Sequence, residues 1–100
     1  MYTATMRYHF HEDKFDEACA LWRTTVLDEA KKAPGLIRMQ FLTAKPVALA
    51  IGTWREKSFA EDFMRTGVFK RLMESLKAMN AAEPKSELWT LDSFFAADGH

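Results

Sequence analysis

Cysteine is nearly absent from this chain: Cys19 is the only one in 100 residues, so no disulfide can form within it and a reducing, cytoplasmic setting is expected. Charge of one sign is also lacking. Fourteen basic residues balance fourteen acidic ones without a long block of either, which argues against nucleic acid or an anionic membrane surface as a partner. No run approaches the roughly 20 apolar residues of a membrane span. The opening MYTATMRYHF has no basic stretch leading into an apolar one, so neither export nor membrane insertion is expected. HExxH, CxxC, a Gly-rich phosphate loop and a Ser-His-Asp order are missing too, and the enzyme classes that need them are set aside.

Aromatic residues, in contrast, are plentiful. Eight Phe, three Trp and two Tyr exceed what one small core usually needs, which points to a pocket or a subunit interface besides the core. At 48% hydrophobic content the chain can bury a core of its own, and no repeat or composition break divides it, so residues 1–100 are expected to form a single domain.

From Tyr2 to His11 the residues alternate, with Tyr2, Ala4, Met6, Tyr8 and Phe10 on one face and Thr3, Thr5, Arg7, His9 and His11 on the other; this predicts a strand with one buried face. Phe15, Ala18, Cys19, Trp22, Val26, Ala30 and Ala33 then recur at helical spacing, and Pro34-Gly35 ends the helix. Leu36–Thr43 and Val47–Trp54 read as an antiparallel hairpin around Ala44-Lys45-Pro46. Ser58 as N-cap, with Glu61 three residues on, predicts a second helix to about Met79, interrupted near Gly67. Asn80 to Lys85, with Pro84, reads as a loop, Leu88 to Phe95 as a last strand, and Ala96 to His100 as a polar tail.

Strand, helix, strand, strand, helix, strand is the order of an α+β, ferredoxin-like split βαββαβ fold, whose helices cover one face of a four-stranded antiparallel sheet. Strand two carries Ile37, Met39 and Phe41 on one side and Leu36 and Leu42 on the other. The last strand sets Leu88 and Phe94 against Trp89, Leu91 and Phe95. Both faces therefore need cover, and the economical cover is the same face of a second copy, giving a homodimer through sheet faces.

The segment Gly52 to Leu72, GTWREKSFAEDFMRTGVFKRL, resembles the third-strand-to-second-helix segment of antibiotic-biosynthesis-monooxygenase-like proteins, with Trp at a strand end, a Ser before the helix and aromatics along a broken helix. Pro34-Gly35 before strand two fits the same pattern. The resemblance implies a dimeric α/β barrel and a pocket between helices and sheet, used by quinone-forming monooxygenases without metal or flavin. It does not imply one reaction, because the superfamily also holds haem-degrading enzymes, isomerases, polyketide cyclases and stress proteins. The haem-degrading branch uses an Asn on strand one, a Trp on helix two and a later His. Met6, Phe63 and Met73 stand there in this chain, so haem degradation is not expected.

Met6, Tyr8, Trp54, Phe63 and Met73 are the expected lining of a pocket for a small apolar, aromatic or polyketide-like ligand, with core packing as the competing account. Helix-two methionines Met64, Met73 and Met79 carry the same double reading. His9 and His11 share a strand face and could hold a metal or move a proton, but no third ligand stands at a suitable spacing and a polar strand face explains both, so no metal is expected. Arg38 and Gln40 with Arg7 and His9 form a polar set that could orient a ligand anion or bridge subunits, the second being favoured; His9 and Arg38 are the weak catalytic candidates. Cys19, on an apolar stripe, reads as a buried structural thiol, and His100 as a terminal residue without a role. Two functions lead: a cofactor-independent monooxygenase-like protein, or a non-catalytic dimeric binding or stress-related protein; a third, an isomerase or cyclase, needs a positioned His or carboxylate in the pocket, and the nearest candidate, His9, faces the other side.

Overall fold

Alternation in the first residues and in Val47–Trp54 sets the architecture. The computed structural model describes residues 1–97, so His100 and the end of the expected tail lie outside the described residues. Strands β1 (Tyr2–Phe10), β2 (Leu36–Ala44), β3 (Val47–Trp54) and β4 (Asn80–Thr90) form one antiparallel sheet in the order β2-β3-β1-β4. Helix α1, residues 15–30, runs through α-helix Phe15–Trp22, a π-helical stretch Arg23–Leu27 and α-helix Asp28–Ala30. Helices α2 (Lys57–Met64) and α3 (Val68–Leu76) follow β3, and the fold is α+β and ferredoxin-like, as the order of elements predicts.

All three helices cover the same sheet face. Phe15, Ala18, Cys19, Trp22 and Val26 of α1 and Val68, Leu72 and Leu76 of α3 are buried, against Tyr8, Phe10, Ala48 and Ala50 of the central strands. Burial of each large side chain stabilises the fold by about 1.5–3 kcal/mol, so this layer holds the structure together. Trp22 stacks on Phe41 with ring centroids 4.2 Å apart, and Tyr8 stacks on Phe10 at 5.4 Å. Helix α2 buries only Ala60 and Phe63. Its inward face is therefore not fully spent on packing.

The break between α2 and α3 is built from Thr66 and Gly67. The Thr66 hydroxyl donates to the Phe63 carbonyl at 2.7 Å, and Gly67 takes φ +85°, a left-handed conformation that L side chains rarely adopt. The hairpin between β2 and β3 turns at Lys45-Pro46, whose peptide is cis.

Several sequence expectations need correction. Asn80 to Lys85 is not a loop but the first half of β4, and residues beyond Thr90 are not strand, so Leu91, Phe94 and Phe95 leave the sheet. Pro84 misleads because β4 is an edge strand: its register with β1 shifts between Arg7 and Phe10, and an irregular edge accommodates a residue without an N–H. Leu36 does not share a side with Leu42. A register shift between Leu36 and Arg38 inserts Ile37 as an extra residue, which returns Leu36 to the helix-covered face beside Trp54. Helix α2 starts at Lys57 with Glu56 at the N-cap, so Ser58 lies inside it and caps nothing.

Candidate functional site

Small residues make the floor of the site. Ala4 pairs with Gly52 and Met6 with Ala50 across β1 and β3, and their alternation aims all four toward the helices. Because α2 buries so little, a cavity of about 410 Å³ opens between it and this floor. Trp22 and Val26 of α1, Ala60 and Phe63 of α2 and Phe69 of α3 face the floor, while Tyr2, Met39 and Trp54 close the sides. Phe63 links the walls, 5.3 Å from the Trp54 ring and 5.6 Å, edge-on, from Phe69. Such apolar walls and volume fit a ligand of one to three rings.

Exposed residues mark the mouth. Met64 on α2 and Leu88 on β4 are 41% and 56% exposed yet line the cavity from opposite sides. Lys57, Glu61 and Arg65, one helical turn apart along α2, bring charge to this entrance, and Arg65 is held by Asp62 at 2.9 Å. Behind the entrance the character changes. Among the described residues, no charged side chain is buried.

Of the residues expected to line a pocket, Met6, Trp54 and Phe63 border this cavity. Tyr8 and Met73 do not: Tyr8 is fully covered within the aromatic layer, and Met73 packs against the core from α3. His9 and Arg38 lie on the sheet face opposite the cavity, as does Gln40. Arg38 there stands over the Phe94 ring, 5.3 Å from its centroid. Among the described residues no cluster of three or more His, Cys, Asp or Glu is placed to hold a metal ion. Sequence reasoning missed Gly52, Phe69, Met39 and Leu88. Gly52 had a legible signal, since a glycine in a strand marks close approach of another group.

Two buried groups shift away from their ordinary titration. Burial pushes the Tyr8 phenol well up, and the Trp22 indole N–H beside it offsets part of the rise, although neither group reaches full hydrogen-bond geometry with any partner. Burial also raises the Cys19 thiol, with Arg23 lowering and Asp16 raising it by smaller amounts. A thiol so placed is a weak nucleophile, in keeping with a structural role.

Compared by sequence, the chain matches no family model and no curated protein. Compared by structure, it is similar to many solved proteins. One is the monooxygenase from the gene ActVA-Orf6 of Streptomyces coelicolor, solved in complex with nanaomycin D: TM-score 0.79 at 12% identity, covering 97% of this chain and 92% of that one. Another is SnoaB, a cofactor-independent oxygenase from Streptomyces nogalater: TM-score 0.73 at 19% identity, covering 96% and 97%. A third is NE2512 of Nitrosomonas europaea, of unknown function: TM-score 0.83 at 12% identity, covering 98% and 95%. None of the described helices is long and apolar enough to cross a membrane. The resemblance read from Gly52 to Leu72 thus holds at the level of architecture: this chain has the antibiotic-biosynthesis-monooxygenase-like fold.

Proposed function

We propose that this chain is a single-domain, cytoplasmic, cofactor-independent monooxygenase-like protein acting on a small aromatic or polyketide-like molecule held between helices and sheet. The observation that carries the reading is the apolar cavity of about 410 Å³ walled by Trp22, Trp54, Phe63 and Phe69, large enough for a fused-ring ligand. The similarity to SnoaB and to the ActVA-Orf6 monooxygenase supports the same direction. In such a reaction the ligand supplies the electrons. A phenol such as 1-naphthol reacts with one O₂ to give 1,4-naphthoquinone and one water, and the protein orients the ring and excludes bulk water. The phenolic proton leaves through the mouth, where Glu61 is the only carboxylate among the described residues of the lining.

The test is quinone formation from 1-naphthol in air, followed by absorbance, with ¹⁸O₂ to label the new oxygen. Label in the quinone at a rate above the protein-free background is the expected result. No acceleration for 1-naphthol or its fused-ring analogues would remove the enzymatic reading.

A second reading, a non-catalytic small-ligand-binding or stress-related protein, is favoured by one observation: no His, carboxylate or other charged side chain is buried among the described residues, so the interior holds no base. Binding of 1-naphthol without turnover would select it. In either case we place a second copy on the open sheet face, where Leu42 and Trp89 are 47% and 53% exposed and Leu49 and Ile51 share the same side.

A further inference from the structure

A second hollow, of about 260 Å³, lies on the other side of α2, between that helix and the turn that follows α1. Ala33, Pro34 and Phe59 give it apolar walls, and the exposed Lys32, Asp62 and Thr66 mark its rim. Ala60, Glu61 and Met64 of α2 line the cavity over the sheet, whereas Phe59 and Asp62 line the hollow. Among the described residues, only Phe63 lines both. At that point the partition between the two spaces is a single side chain.

The hollow can receive the Phe63 ring. A cavity of about 150 Å³ holds a benzene molecule, so the hollow, at about 260 Å³, has room for one phenyl group. A helical phenylalanine has more than one staggered χ1 well open to it, and a change of well moves the ring without unwinding α2. In the cavity position the ring lies 5.3 Å from Trp54 and 5.6 Å from Phe69, tilted to one and edge-on to the other, so neither stacks flat on it. In the hollow it meets Phe59, one helical turn back on the same face. Phe59 is a fixed wall, because its ring occupies the notch over Gly35. Apolar surface is therefore offered to the ring in both positions, and the helix that carries it is lightly packed, with only Ala60 and Phe63 buried.

Resting on the ligand-binding reading above, we propose that Phe63 is a movable partition that sets the size of ligand the site takes. With its ring in the cavity the site holds up to about three fused rings, and with its ring in the second hollow it holds about four. A ligand too large for the first arrangement binds only the second and draws the population toward it. A smaller one leaves the ring where it is.

The experiment titrates 1-naphthol, with two rings, and 1-hydroxypyrene, with four, against the full chain under nitrogen, so that no turnover intervenes. Wild type is expected to bind both. Ala33→Phe fills the hollow from the turn after α1 and lies off the cavity lining, so it should weaken 1-hydroxypyrene about tenfold or more while 1-naphthol stays within about twofold. Adding Phe63→Ala to Ala33→Phe removes the partition itself and restores 1-hydroxypyrene binding. In wild type, nuclear Overhauser contacts between the Phe63 and Phe69 rings should give way to contacts of Phe63 with the Ala33 methyl when 1-hydroxypyrene binds, and persist with 1-naphthol; this readout needs no variant to fold. Three results overturn the partition and leave the cavity as a binding site: wild type that binds 1-naphthol alone, a Phe63 ring that stays against Phe69 in the 1-hydroxypyrene complex, or an equal effect of Ala33→Phe on both probes. Failure of both probes to bind overturns the binding reading along with it.

Discussion

The ring of Phe59 fills the space that a side chain at Gly35 would need: a Cβ there would overlap the ring carbons. Gly35 also takes φ +77° and accepts a backbone hydrogen bond from Arg55 at 2.8 Å, so it joins the end of α1 to the start of α2 through contact and conformation together. Gly35→Ala is expected to cost about 3 kcal/mol, combining overpacking with left-handed strain. Chemical denaturation measures it. Combined with Phe59→Ala the loss should be less than additive, because the overlap with the ring is removed and what remains is the backbone strain and a 2.8 Å approach to the Cβ of residue 59.

Tyr8 makes stability depend on alkaline pH. The unfolded phenol ionises near 10.0, as a free tyrosine does, whereas the buried one keeps its proton to higher pH. The folded state thus binds a proton that the unfolded chain has released. Its contribution is fully present below pH 10 and is lost as pH rises above it, at up to about 1.4 kcal/mol per pH unit. Urea titrations from pH 8 to 11 should show that fall, and Tyr8→Phe should flatten it above pH 10. A smaller fall beginning near 9 should survive in the variant, since Cys19 is raised in the same sense.

Cys19 should resist modification. Its side chain is 4% exposed and burial holds it in the thiol form, so alkylation by iodoacetamide at pH 8 should run on the order of a hundredfold or more slower than in urea. Rapid labelling of the native protein would contradict the burial of α1's inner stripe.

Pairing of two copies can be checked at Ile51, which sits between Thr5 and Gln40 in the middle of the open sheet face. Sedimentation should give a dimer for the wild type and a monomer for Ile51→Arg, with the circular dichroism of the monomer unchanged. A charge buried without a partner at such an interface costs several kcal/mol, enough to dissociate micromolar dimers. A monomeric wild type would leave the open face to some other cover.

Much of this architecture is legible because period and burial coincide. Tyr2 to Phe10 alternates and is half buried, Val68, Leu72 and Leu76 repeat every four residues and are fully buried, and the helix breaks where Gly67 takes a left-handed turn. Alternation assigns a face, however, and not what lies above each residue on it. Met6 and Tyr8 share a face, yet Met6 borders the cavity while Tyr8 is sealed beneath Phe10 and Phe41, because α1 and α2 cover different ends of β1. Local rules also fail where strands slip. The extra residue at Ile37 inverts the expected side of Leu36, and Pro84 disguises a strand whose pairing is decided by the distant β1.

The irregular half of β4 bears on how this chain can associate. The strand is the longest of the four and lies at the sheet's edge, the position most open to pairing with foreign backbone. Two register shifts and a proline in that half interrupt the row of amides another strand would need as a template. Runaway edge-to-edge growth into fibrils is thereby discouraged, and the exposed apolar surface is free to meet another molecule broadside.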